Sequence, residues 1–202
     1  MSKRLVAFLV ALALSSTAVP AEPSMLPAGT YKMDRAHASL TWKVSHLGLS
    51  NYTARFTNID ATLDIDPAKP ETAKLAVTVD PTSIRTDYPF ADKNDFDKEL
   101  SADDKFFNTS KFSNITFTST RIERTGATTA TVTGDLTFLG VTKPVAIDVT
   151  LNGAIEHPMT KQPMLGFSGV ATLKRSEFGM THGIPFVGDD VKLLIEAEFA
   201  KS

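Results

Sequence analysis

The side chains best suited to acid–base or metal chemistry in this sequence are four histidines, His37, His46, His157 and His182. None lies at metal-ligand spacing from another, so a cage would require the fold to gather His37, His46 and His182. Thiolate chemistry is excluded because the chain has no cysteine. Gly166-Phe167-Ser168-Gly169 only superficially resembles a nucleophile elbow. No His-Glu-x-x-His, phosphate-loop or dinucleotide pattern occurs. The expectation is therefore no catalytic residue, no metal site and no resident cofactor.

His46 has two readings. It continues the phase of Leu40, Trp42 and Val44, which would point it inward near a rim as a polar contact for a ligand's head. Alternatively, its ring is hydrogen-bonded to a neighbouring loop carbonyl. Arg55 and Arg175 each stand close to a phenylalanine, Phe56 and Phe178. Partial burial there would require a carboxylate or carbonyl partner, and a structural role closing a corner is expected ahead of recognition of a ligand head.

The aromatic supply is apolar, with thirteen phenylalanines against three tyrosines and one tryptophan. Phe90, Phe96, Phe106, Phe107, Phe112 and Phe117 concentrate in one interval. Singly, such residues pack cores; together they can line a site for a hydrocarbon chain, where each buried CH₂ contributes about 0.8 kcal/mol. Strand phase predicts a lining of Trp42, Val44, Leu75, Val77, Ile115, Phe117, Phe138, Ile147 and Phe167, with Phe96, Phe106, Phe107 and His46 at or near one end.

The elements that must position these residues are strands. Apolar residues alternate with polar ones in Leu40–Val44, Leu75–Val79, Val145–Leu151 and Val191–Phe199, the signature of one buried and one wet face. Asp66-Pro67, Asp80-Pro81, Thr125-Gly126, Leu139-Gly140, Asn152-Gly153 and Gly188-Asp189 read as turns between them. About eight strands result, starting near residues 30, 53, 73, 114, 129, 143, 164 and 190. An all-β, antiparallel, lipocalin-like barrel is expected, since closure removes exposed edges; a two-sheet sandwich has the same signature. The run from Asp92 to Leu100 breaks the alternation and reads as a short amphipathic helix near one end. Asp92 would be its N-cap and Phe96 and Leu100 its inward edge.

Residues 1–21 read as a cleaved signal peptide: Lys3 and Arg4, an apolar run from Leu5 to Leu14, and small residues up to Ala21. Residues 22–29 would be a leader and 30–202 the barrel. The 181 residues after cleavage suit one domain. They would carry a net charge of −4 without basic clusters, which argues against nucleic acid or an anionic membrane surface as partner. An exported chain without disulfides must be held together by its core.

The ordered motifs are those of a known family. Tyr31-Lys-Met-Asp34, His37-Ala-Ser39 and Val44-Ser-His-Leu-Gly-Leu-Ser50 resemble the opening of the YceI-like family. Ala54-Arg-Phe56, Gly140-Val-Thr-Lys-Pro-Val145, Arg175-Ser-Glu-Phe-Gly179 and Val187-Gly-Asp-Asp-Val191 follow in that family's order. The resemblance implies a periplasmic, non-enzymatic barrel that binds or transports a polyprenyl chain or isoprenoid quinone. Two departures stand out. Ala54 takes the place of a usual glycine, and the family's His-Leu-x-Ser-x-Asp-Phe-Phe appears as Glu99-Leu-Ser-Ala-Asp-Asp-Lys-Phe-Phe107. Two rival readings are a packed interaction module serving a membrane redox or stress-response protein, and a lipid-modifying enzyme using His46 or His182. The sequence leaves open a membrane-protein partner and a homodimer.

Overall fold

A computed structural model describes residues 25–202; the expected signal peptide and the start of the leader lie outside them. Eleven strands form one antiparallel sheet: β1 (Gly29–Met33), β2 (Ser39–His46), β3 (Ser50–Phe56), β4 (Ile59–Ile65), β5 (Lys74–Val79), β6 (Ile84–Arg85), β7 (Ile115–Arg124), β8 (Thr129–Phe138), β9 (Val141–Glu156), β10 (Pro163–Lys174) and β11 (Val187–Lys201). Among the described residues there is one α-helix, α1 (Phe96–Ala102), between β6 and β7.

The eleven strands are eight staves, three of them kinked. β11 pairs with β2 through Trp42↔Leu193 and then with β1 through Met33↔Phe199, so β1 and β2 are one stave in two pieces. β3 and β4 form the next stave, because β2 pairs with β3 and β1 with β4. β5 and β6 form the third by the same logic. The remaining five are single strands in chain order, and β11 returning to β1 closes the ring. Closure settles the barrel against the sandwich and leaves the sheet without a free edge along those staves.

Side-chain hydrogen bonds make the kinks. Asp34 accepts from the Ala36 amide at 2.9 Å and Asp80 from the Thr82 amide at 2.9 Å, each starting a short 3₁₀ turn. Ser83 Oγ accepts from the amides of Thr57 (3.2 Å) and Asn58 (3.0 Å), which joins the second and third kinks. These polar groups give the freed backbone donors partners where the ladder is interrupted.

Two expected turns are instead inside strands. Asn152-Gly153 continues β9, and the chain reverses at 157–162. Asn152 is the unpaired residue of a bulge in β9, opposite the Gly166/Phe167 step of β10, so the turn dipeptide accommodates a register shift rather than a reversal. Gly188-Asp189 lies in the irregular start of β11, between Val187↔His46 and Val191↔Val44. Leu139-Gly140 does turn, with φ of 50° and 74° between Phe138 and Val141.

The helix also starts later than expected. Its N-cap is Asp95, whose carboxylate accepts from the Lys98 amide at 3.0 Å; residues 89–93 form turns and Asp92 lies in them. Asp97 accepts from both the Thr86 amide (2.8 Å) and its hydroxyl (2.5 Å), which ties α1 to the end of β6. Leu100 is buried and Phe96 packs against the same cluster, as the i, i+4 spacing requires.

Gly134 faces inward on β8, between Val132 and Leu136. A Cβ there would lie 2.4 Å from Phe117 Cζ and 2.5 Å from the Thr118 carbonyl oxygen. Because a backbone atom is one of the obstacles, side-chain rotation alone cannot relieve the clash. Gly134→Ala is therefore expected to lower stability by about 1–3 kcal/mol, the usual cost of overpacking, measured by denaturant unfolding. Wild-type stability would show that β7 and β8 are not packed this closely.

Candidate functional site

The inward faces do not fill the barrel. They enclose a cavity of about 740 Å³ whose wall is almost wholly apolar. Three core clusters surround it, and Val77 packs against all three. Among the described residues, Arg175 and Glu196 are the only charged side chains along it, and Glu196 belongs to the outer face of β11, where it accepts from Ser168 Oγ at 2.6 Å. Small inward residues such as Ala61, Gly169 and Ala197 keep the space open.

All thirteen residues expected to line a ligand site lie on this wall: Trp42, Val44, His46, Leu75, Val77, Phe96, Phe106, Phe107, Ile115, Phe117, Phe138, Ile147 and Phe167. Period-two alternation puts the strand residues there. α1 and the turn after it supply the rest, with the Phe107 amide donating to the Leu100 carbonyl at 3.1 Å. Phe56, Phe107, Phe138 and Phe178 then form a chain of tilted or edge-on rings, with centroids 5.4, 5.8 and 5.7 Å apart, from β3 to the segment after β10. Tyr52, Leu40, Leu193 and Ile195 also line the cavity. They share the phase of predicted residues, but starting the second strand near 53 left Tyr52 outside it.

Besides Glu196, the exposed lining residues share one end of the barrel: His46, Ser50, Tyr88 and His182. This end is the cavity's mouth. His46 has no side-chain hydrogen bond among the described residues, so the loop-carbonyl reading finds no partner there. His182 stands edge-on to Phe106 at 5.4 Å. His37 is elsewhere: it bonds Asp34 Oδ2 at 2.8 Å and lies 4.0 Å from Glu198 on the outer surface. The hydrogen bond to Asp34 raises the His37 imidazole pKa, and the same bond lowers that of Asp34.

The two arginines differ. Arg175 is 4% exposed, and its guanidinium donates to three carbonyls: Gly188 (2.8 Å), Met180 (3.2 Å) and Val187 (2.9 Å). Burial lowers its pKa, opposed by nearby Asp189. Asp189 in turn accepts from the Ser176 amide and hydroxyl at 2.9 and 2.8 Å. The cluster holds the loop that carries His182. Arg55, expected to be partly buried, is on the outer face in an exposed ion pair with Asp87 at 2.6 Å. Ala54 and Phe56 take the inward phase on either side of it. Such a surface pair contributes at most about 1 kcal/mol.

One polar atom on the wall lacks a partner: Trp42 Nε1 is buried and makes no hydrogen bond among the described residues. Glu99 is exposed and accepts from Asn94 Nδ2 at 2.7 Å, away from the cavity. The departure at Glu99 thus leaves the wall unchanged.

The chain has close relatives. A UPF0312 protein from Pseudomonas fluorescens (strain SBW25) is 39% identical over 174 residues, covering 85% of this chain and 86% of the relative. A UPF0312 protein from Shewanella baltica (strain OS185) is 36% identical over 200 residues, 98% of each. Among solved structures, the Campylobacter jejuni YCEI protein is 31% identical with a TM-score of 0.69, covering 79% of this chain and 91% of that one. Two more distant structures share the fold: Burkholderia cenocepacia BcnA (24% identity, TM-score 0.70, 82% and 98% covered) and a polyisoprenoid binding domain from Saccharophagus degradans (13%, 0.61, 87% and 100%). The YceI-like domain family model matches residues 31–199, the whole ring of staves, and the chain belongs to that family.

Proposed function

We propose that this protein is an exported, periplasmic carrier that holds one long isoprenoid lipid, a polyprenyl chain or isoprenoid quinone, without changing it chemically. The observation that carries this reading is the apolar cavity of about 740 Å³ opening at one end. Its volume falls within the roughly 300–1,000 Å³ common for small-molecule sites. A wall this nearly apolar offers few hydrogen bonds to compete with apolar contact, so binding strength grows with the length of chain buried. The choice of isoprenoid over an unbranched acyl chain follows the family resemblance and the polyisoprenoid binding domain that shares the fold. Export follows the pattern of residues 1–21.

Trp42 supports a cargo that carries oxygen. A buried donor without a partner costs about 1–3 kcal/mol, and a quinone or alcohol oxygen reaching Nε1 would remove that cost. The carrier reading is favoured over a lipid-modifying enzyme because, among the described residues, neither His46 nor His182 makes a side-chain hydrogen bond that would orient its ring for acid–base work.

The same tryptophan supplies the test. It is the only one in the chain and lies on the cavity wall. Titration with an isoprenoid quinone should quench its emission and saturate at one quinone per chain. Unchanged emission with a quinone, together with no retention of a radiolabelled polyprenol, would contradict the carrier reading.

A further inference from the structure

The mouth of the cavity is ringed by three apolar stretches. These are Leu47-Gly-Leu-Ser50 between β2 and β3, Tyr88-Pro-Phe-Ala91 before α1, and Gly183-Ile-Pro-Phe-Val187 before β11. The first and third are joined by the Leu47 amide donating to the Phe186 carbonyl at 2.7 Å. In the second, Tyr88 and Phe90 stack edge-on, with ring centroids 5.7 Å apart. Among the described residues nine large hydrophobics are exposed, and six of them belong to these turns: Leu47, Leu49, Tyr88, Phe90, Ile184 and Phe186. Leu49 is 85% and Phe186 68% exposed. The opposite end has polar turns such as Asp66–Lys69 and His157–Gln162, with Met25 and Met159 as its exposed large hydrophobics.

Exposed apolar side chains gathered at one end mark a surface that is covered in use. We propose that this collar docks on a lipid bilayer, its tips entering the headgroup and acyl boundary, so that cargo passes between membrane and cavity without crossing water. This rests on the carrier reading. A long isoprenoid is stored in bilayers, and a mouth opening directly into one spares the chain its hydration cost. Charge favours the bilayer's apolar interior over its headgroup charge: the three stretches hold no charged residue, only Asp87, Asp92 and Lys93 border the second in sequence, and no basic cluster flanks them. Lys93, over the Phe90 ring at 5.3 Å, keeps its ammonium beside the ring, as an interfacial anchor does. A second copy covering the collar would seal two mouths against each other.

Flotation with neutral phosphatidylcholine vesicles tests the proposal, using wild type, Leu49→Asp, Phe186→Asp and the double variant. All share the same N-terminus, so differences report on the collar. Wild type should float with vesicles equally at low and high salt, because screening does not weaken apolar insertion. Each single substitution should weaken association about tenfold, and the double variant more. Unchanged melting temperatures would show that the variants fold, and Trp42 quenching by solution-delivered quinone should remain at the wild-type level. Wild type that takes up quinone but ignores vesicles would overturn the docking and leave the carrier reading intact. A double variant that floats like wild type would overturn it too. So would a concentration-dependent dimer that these substitutions abolish, since the collar would then belong to a second copy. Vesicle binding lost in the variants, in a protein whose Trp42 no quinone quenches, would support the docking and remove the carrier reading instead.

Discussion

Phe117→Asp is expected to abolish uptake of an isoprenoid chain, whereas Lys43→Asp leaves uptake at the wild-type level. Phe117 is 7% exposed on β7 and lines the cavity. A carboxylate there enters an almost wholly apolar wall whose one cation, Arg175, is already committed to three carbonyls. It either becomes neutral through a raised pKa or draws water into the space a chain would occupy. Each outcome removes several kcal/mol from binding, and each 1.4 kcal/mol is a factor of ten. Lys43 lies on β2 between the inward-facing Trp42 and Val44 and is absent from the wall, so a carboxylate there stays in solvent. Because Phe117→Asp also strains the fold, Val77→Trp is the companion variant. Val77 touches all three core clusters where they border the cavity, and the indole would take up cavity volume without adding charge. Loss of quinone uptake in both, with wild-type uptake by Lys43→Asp, is the expected pattern. Uptake unchanged in Phe117→Asp would place the chain outside the barrel.

Arg175→Met is expected to cost at least about 1–3 kcal/mol of unfolding free energy, the penalty for a buried polar group left without its partner. The methionine keeps an unbranched apolar stem but leaves the carbonyls of Met180, Val187 and Gly188 without the donor that joins them. Those carbonyls belong to the segment that carries His182 and the Gly183–Val187 turn, so the mouth should loosen before the ring of staves does. Hydrogen exchange would show this as faster exchange at the Val187 amide, which now donates to the Gly183 carbonyl at 2.8 Å. By contrast, Arg55→Met should change stability by less than about 1 kcal/mol, as its ion pair with Asp87 is exposed. Equal costs for the two arginines would contradict the assignment of Arg175 as the fastening of this loop.

The wall of the cavity was legible in the sequence because a strand's side chains alternate with a period of two. Once Leu40, Trp42 and Val44 were read as inward, His46 followed at the rim, and the same rule placed Phe117, Phe138, Ile147 and Phe167. The rule also points Arg55 outward, since Ala54 and Phe56 take the inward phase; its neighbouring phenylalanine gave a misleading impression of burial. The three kinks were not legible, because an Asp that caps a 3₁₀ turn looks the same as one that ends a strand. Asn152-Gly153 and Gly188-Asp189 carry turn chemistry, yet long-range pairing across β9–β10 and β11–β2 absorbs them as irregularities. The collar was hidden for a different reason: Leu49 and Phe186 are core residue types, and only the position of their turns around the mouth shows that none of the described residues packs over them.

Extraction of the natively purified protein is the most direct measurement of the central claim. The chain would be isolated from its own host without detergent, extracted with organic solvent, and its bound species identified by mass spectrometry. The account predicts one isoprenoid lipid per chain, with a polyprenyl or quinone head. A clean extract from folded protein that also refuses added quinone and polyprenol would contradict it, and would leave the barrel as an interaction module with an empty core.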